Sequence, residues 1–238
     1  MGSEKKIIYT ADFGDYDDRK PLATELKRGW EALYFTDNPE RVPEGWFPRY
    51  VDPKIFGGLP NVAIAKCLKI NPQYWLSEHD VSLWVDGNRT VLRPLNDFES
   101  RFANDFVSMT HPNTRYADLY YELERCKKHR RKYIKDVVRQ LEDQQRMYKK
   151  EGIKGKDGFD CENGILYRRN VPQVWVINLL WWAEFMRWKN WRDQVALRYI
   201  LQKYGLTIKF VDRGVVSRRE DEDLYKNPFF WLGLHKEN

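Results

Sequence analysis

The sequence predicts an α/β protein, one domain with a mostly parallel central sheet flanked by helices. Two observations carry this reading. Short apolar, β-branched runs alternate with segments of helical period, the rhythm of strand–helix–strand units. The runs tend to close in polar turns rich in Asp, Asn and Gly, where a strand reaches the end of a sheet. The size agrees: 238 residues, 42% of them hydrophobic, fall within the ~250 residues a single α/β domain reaches, with no repeat, low-complexity tract or long linker.

In chain order, residues 6–10 form a β-branched strand that ends in the loop 11–17, and residues 32–35 a second strand closed by Thr36-Asp37-Asn38-Pro39. The Pro- and Gly-rich stretch 39–60 reads as loop, 62–70 as a short helix, 81–85 as a buried strand and Asp86-Gly87-Asn88 as the turn after it. Residues 106–109 are a further strand. Residues 115–149 have helical character, with Ile134, Val137, Val138 and Leu141 at i, i+3, i+4 and i+7. A flexible loop over 152–163, a strand over 165–168, an amphipathic helix over 174–188, a helix over 191–203 and a late strand over 207–211 complete the domain. Residues 215–238 form a charged C-terminal tail with the aromatic anchor Phe229-Phe230-Trp231, expected to pack on or near the active site.

No apolar run approaches the ~20 residues a spanning helix needs. The start of the chain is charged and lacks the apolar stretch of a secretory signal, so a cytoplasmic location is expected, or a host cytoplasm for a phage protein. Three cysteines, Cys67, Cys126 and Cys161, have no metal-ligand spacing and are expected to be reduced. Lys plus Arg number 41 against 35 Asp plus Glu, a net charge of +6. Residues 127–156 hold 12 basic and four acidic side chains, a local +8. Such a block is most often a solvated helix face, but it can dock on phosphates of nucleic acid or of anionic lipid.

Ligands of an open α/β sheet bind beyond the carboxyl ends of its strands. Polar residues collect at four such ends: 10–17, Thr36-Asp37, Asp86-Gly87-Asn88, and the segment after Val107 that contains His111 and Arg115. Carboxylate and amide oxygens at a strand end suit Mg²⁺ or Mn²⁺ carrying a diphosphate. Asp-Gly-Asn taken alone is a weak signal, and turn chemistry by itself favours an ordinary tight turn whose Gly and Asn tolerate positive φ.

The ordered set YTADFGDYD (9–17), YFTDNP (34–39), Lys66, LWVDGN (83–88), THPNTRYADLYYELERC (110–126), YRRN (167–170) and RDQ (192–194) resembles a glycosyltransferase-like family formerly catalogued as a domain of unknown function. Its plant members act on cell-wall polysaccharide and its bacterial members lie among surface-glycan genes. The resemblance covers residues 7 to about 203. It implies a nucleotide-sugar transferase of the GT-A type, with Rossmann-like architecture and a strand-end Asp-x-Asp that binds the metal holding the donor diphosphate. Here that position reads Asp86-Gly87-Asn88, an amide in place of the second carboxylate. The resemblance places Tyr9, Thr10, Ala11, Asp12, Thr36 and Asp37 around the nucleotide, and Lys66 at the diphosphate, without the Arg that precedes it in many members. Asp86, Asn88 and the C-terminal His235 become metal ligands. Asp193 is the first candidate for the base that takes the acceptor's proton and Glu184 the second. His111, Arg115, Glu122, Trp182 and Arg192 fall to the acceptor or sugar. A bacterial or phage glycan is the expected acceptor. Duplex DNA with hydroxymethylated bases is an alternative suited to the basic block, and an anionic membrane surface a possible docking partner. A noncatalytic nucleic-acid-binding module would use the block and the aromatics but leaves the acidic strand ends unexplained.

Overall fold

The computed structural model describes residues 3–17, 20–76, 78–100, 103–110, 118–130, 135–156, 161–211, 216–218 and 230–232. Among them, strands β1 (Lys6–Asp12), β2 (Glu31–Thr36), β3 (Phe47–Tyr50), β4 (Val81–Val85), β6 (Phe106–Thr110), β7 (Cys161–Arg169) and β8 (Lys209–Val211) form one sheet in the order β3-β2-β1-β4-β7-β6-β8, while β5 (Arg89–Val91) stands outside it. All pairings are parallel except those of β7, which runs antiparallel between β4 and β6. The expected α/β class and mostly parallel sheet are therefore present. β1 and β4 are apolar and buried nearly throughout, as parallel strands covered on both faces must be.

The helices are α1 (Asn61–Ile70), α2 (Pro72–Trp75), α3 (Leu95–Glu99), α4 (Leu119–Arg130), α5 (Lys135–Lys150), α6 (Pro172–Trp188) and α7 (Asp193–Tyr204). One face of the sheet packs Tyr9, Trp84, Phe106 and Leu166 against Ile64 and Leu68 of α1, Trp181 and Phe185 of α6, and Leu197 and Ile200 of α7. The other face packs Ile8, Leu83, Val107 and Tyr167 against Leu22, Trp30, Leu95 and Phe98.

Several boundaries differ from the sequence reading. The stretch 39–60 contains β3 and two 3₁₀ turns, Pro39–Arg41 and Pro53–Phe56. β3 is an edge strand with all four side chains exposed and Pro48 within it, so it has no apolar period to betray it. β1 runs two residues into the expected loop, and β7 starts at Cys161, inside the stretch expected to be flexible. Within the expected helical segment 115–149 the described residues form α4 and α5, and Ile134 of the expected apolar stripe lies outside the described residues. The tail contributes β9 (Val216–Arg218) and β10 (Phe230–Leu232), and β10 pairs antiparallel with β5, the strand that follows Asp86-Gly87-Asn88.

Candidate active site

From β1 the chain moves outward through β2 and β3, then crosses back to β4 on the other side of β1. The carboxyl ends of β1 and β4 thus flank the point where strand order reverses, the position at which open α/β sheets hold ligands. Side chains alternate along a strand, so Tyr9, Ala11, Trp84 and Asp86 share the face covered by α1. Lys66 and Lys69, three apart on α1, share one helical face.

Four charges meet there. Lys66 Nζ lies 3.1 Å from Asp193 Oδ1 and Lys69 Nζ 3.0 Å from Asp193 Oδ2. Lys69 also lies 3.2 Å from Asp86 Oδ1, which accepts a further bond from Trp84 Nε1 at 2.7 Å. Asn163 Nδ2 donates to Asp193 Oδ2 at 3.3 Å and is itself held by the Ser108 hydroxyl at 3.3 Å. Lys69 and Asp193 are buried, each side chain 1% exposed, whereas Lys66 at 20% and Asp86 at 25% are partly open to solvent. Burial alone would raise both carboxyl pKa values. The two ammonium groups outweigh it, holding Asp86 down to about 2 and Asp193 well below the usual carboxylate range. Burial would likewise lower the Lys66 pKa, but Asp193 and Asp86 raise it well above the ordinary lysine value. Lys66, Asp86 and Asp193 are therefore charged at neutral pH.

Asp193 is placed by a strained corner. Between α6 and α7, Lys189 and Trp191 adopt positive φ, 48° and 62°, and a bulky side chain in that region is a genuine outlier. Asn190 Oδ1 accepts from Arg192 N at 2.9 Å, and Trp181 Nε1 donates to the Asp193 carbonyl at 2.8 Å. The corner is thereby fixed from both sides.

The loop after β1 closes the other rim. Asp12 Oδ1 accepts from Tyr16 N at 3.0 Å and Asp17 N at 3.3 Å, while Asp37 accepts from Gly14 N. Gly14 has φ +69°, and the space a β-carbon would need there is filled by Asn61, the first residue of α1. A β-carbon on Gly87 would stand 2.9 Å from Asp17 Oδ2, so the Asp17 carboxylate lies directly against the Asp-Gly-Asn turn. Asp17 thus lies beside Gly87, whose neighbours in sequence, Asp86 and Asn88, carry a carboxylate and an amide. These hard oxygen donors fit Mg²⁺ or Mn²⁺ in kind. Among the described residues no group of three or more His, Cys, Asp and Glu is disposed to hold a metal ion.

The other expected site residues fall into three groups. Thr10, Ala11, Asp12, Thr36, Asp37, Gly87 and Asn88 do lie at the ends of β1, β2 and β4, although Thr10, Ala11, Asp12, Thr36 and Asn88 are buried. Tyr9 is a core residue: its hydroxyl bonds the Lys69 carbonyl and the Arg168 guanidinium, and burial pushes its pKa up to about 12. Glu122 pairs with Arg192 and with Arg125 at 3.2 Å, which ties α4 to the residue before Asp193. Glu184 stands apart from the four-charge cluster. It accepts from Tyr148 Oη at 2.8 Å and Trp188 Nε1 at 2.5 Å, and burial raises its pKa. Trp182 stacks on Phe185 with ring centroids 5.4 Å apart. His111, Arg115 and His235 lie outside the described residues. Lys69, Trp84, Ser108 and Asn163 are not assigned to the site from sequence, and Asp17 enters only within the polar strand-end loop 10–17. Lys69 carries one signal, its three-residue spacing from Lys66.

No protein-family profile and no curated protein sequence matches the chain.

Proposed function

We propose that this chain is a nucleotide-sugar-dependent glycosyltransferase of the GT-A type, transferring a sugar to a hydroxyl of a bacterial or phage glycan. The observation that carries this reading is the array of Lys66, Lys69, Asp86 and Asp193 at the switch point between β1 and β4. A diphosphate leaving group needs positive charge that is already in place, and Lys66 presents its ammonium on the open side. Asp86 and Asn88, with Asp17 beside Gly87, would hold a divalent ion, whose chemistry when bound is to offset the charge of the diphosphate.

Asp193 serves as base conditionally. With both oxygens held by ammonium groups it is a weak proton acceptor, and it becomes a stronger one when the donor's phosphates draw Lys66 away. Donor binding and base activation are thereby linked, and the acceptor is deprotonated only in the presence of the donor. In the test, nucleoside diphosphates are titrated by calorimetry with and without Mn²⁺, and sugar transfer is assayed over a panel of nucleotide sugars. Lys66→Met should weaken diphosphate binding, and Asp86→Ala should abolish the gain from Mn²⁺. Asp193→Asn should keep donor affinity and lose turnover by about 10²–10⁴-fold, the usual worth of a positioned base. A wild-type chain that binds no nucleoside diphosphate overturns the reading.

A further inference from the structure

The outer face of α6 is not that of an ordinary surface helix. Val174, Ile177, Trp181 and Phe185 bury its inner stripe in the core, so the opposite side should be charged or polar. Instead, from Pro172 to Met186 the only ionisable residue is Glu184, which is buried and bonded to Tyr148 and Trp188. Trp175, Val176 and Leu179 are 43%, 49% and 45% exposed, and Ala183 continues the same side. Four turns of exposed helix thus pass without a charge. Large apolar side chains grouped this way mark an interaction surface, whereas single exposed ones do not.

The neighbours of this stripe carry the opposite character. Arg187, whose side chain is 53% exposed, follows Val176 by three helical turns and so closes the same side of α6, and Lys189 is exposed just beyond it. α5 packs against α6 through Tyr148, whose ring centroid is 6.5 Å from that of Trp188. α5 exposes Arg139, Arg146, Lys149 and Lys150, part of the chain's +8 block, with Arg146 paired to Asp143 and Lys149 over the Tyr120 ring of α4.

We propose that the outer face of α6, with the basic residues beside it, docks the protein on an anionic lipid surface. Apolar and aromatic side chains along a helix enter the boundary between headgroups and acyl chains, while Lys and Arg alongside meet lipid phosphates. The two other partners fit less well. A second copy on the same face would bring like charges on α5 and Arg187 together, and a duplex nucleic acid would leave the apolar stripe against phosphates.

The full chain is tested by co-sedimentation with vesicles of phosphatidylcholine alone and with phosphatidylcholine containing phosphatidylglycerol, across a salt series. Binding should require the anionic lipid and weaken as salt screens it. Val176→Glu and Leu179→Glu should each lower vesicle affinity about tenfold or more, since they set a charge at the apolar boundary. Both positions face solvent, so unchanged melting temperatures confirm that the fold is intact. Arg146→Glu should weaken binding at low salt and have less effect at high salt. The proposal is overturned if the wild type ignores anionic vesicles or Leu179→Glu binds them as well as the wild type does. It is equally overturned by a solution dimer that Leu179→Glu dissociates, or by binding to duplex DNA in place of vesicles.

Discussion

Replacing Lys69 by Met removes one ammonium group and leaves a chain of similar length and flexibility in its place. The group lies 3.0 Å from Asp193 and 3.2 Å from Asp86, and its side chain is 1% exposed. Losing one partner of a buried ion pair costs ~3–5 kcal/mol, because the remaining charge stays buried. Here Asp193 keeps Lys66 and Asn163, and Asp86 is open enough to gain water, so the lower end applies, ~3 kcal/mol. For a domain of this size ~1 kcal/mol moves the melting temperature by ~2–4 °C, which gives a fall of about 10 °C at neutral pH. The deficit should also depend on pH. The folded pKa values of Asp86 and Asp193 lie below their unfolded values, so the stability they contribute is full above pH ~4 and is lost as pH falls toward about 2. Without Lys69 both carboxyl groups are held down less, so the variant has less to lose. Wild type and variant should therefore converge on acidification. Urea unfolding at a series of pH values measures both quantities. A deficit under ~1 kcal/mol at neutral pH, or one that stays constant down to pH ~2, would show that Lys69 is not the buried clamp described.

Two further perturbations probe the supports of the site. Arg168, fully buried, donates to the carbonyls of Lys69 at 2.6 Å and Ile70 at 3.3 Å, at the carboxyl end of the helix that carries both lysines. Arg168→Met should cost ~3 kcal/mol by leaving the Ile70 carbonyl without this donor and the Lys69 carbonyl with the Tyr9 hydroxyl alone, and hydrogen exchange should show the last turn of α1 opening first. Gly87→Ala sets a methyl group 2.9 Å from Asp17 Oδ2 and displaces that carboxylate. The melting temperature should change little, while Mn²⁺-supported diphosphate binding falls about tenfold, as expected for a small misplacement of a positioned group; unchanged binding would remove Asp17 from the site.

The parts of the fold that were legible in the sequence are those whose burial is dense. β1, β2, β4 and β6 are apolar and covered on both faces, and α6 carries a long apolar stripe, so periodicity alone identified them. What escaped is short or one-sided. β5, β9 and β10 have three residues each, too few for a period, and β7 enters its pairing through the polar sequence Cys-Glu-Asn-Gly across a bulge. Within the site, Lys66, Asp86 and Asp193 stood out by residue type and position. Lys69 did not, because a lysine on a helix reads as a solvated face until the fold shows two carboxylates converging on it from β4 and α7. Asn163 and Ser108 matter only through their contact with Asp193 and one another, which no local pattern encodes.

The antiparallel strand β7 makes the order of folding and the assembly of the site a single event. The strands β1 to β4 follow one another in sequence and form one contiguous part of the sheet, whereas β6 and β8 join it only through β7. Closing so distant a pairing is slow, because the loop entropy is lost before the contacts form. The strand that completes the sheet also carries Asn163, which holds Asp193, and Arg168, which holds the end of α1. A partly folded chain would therefore present the lysines and acids of the site unassembled, and the charge cluster should appear in the same kinetic phase as the last strand.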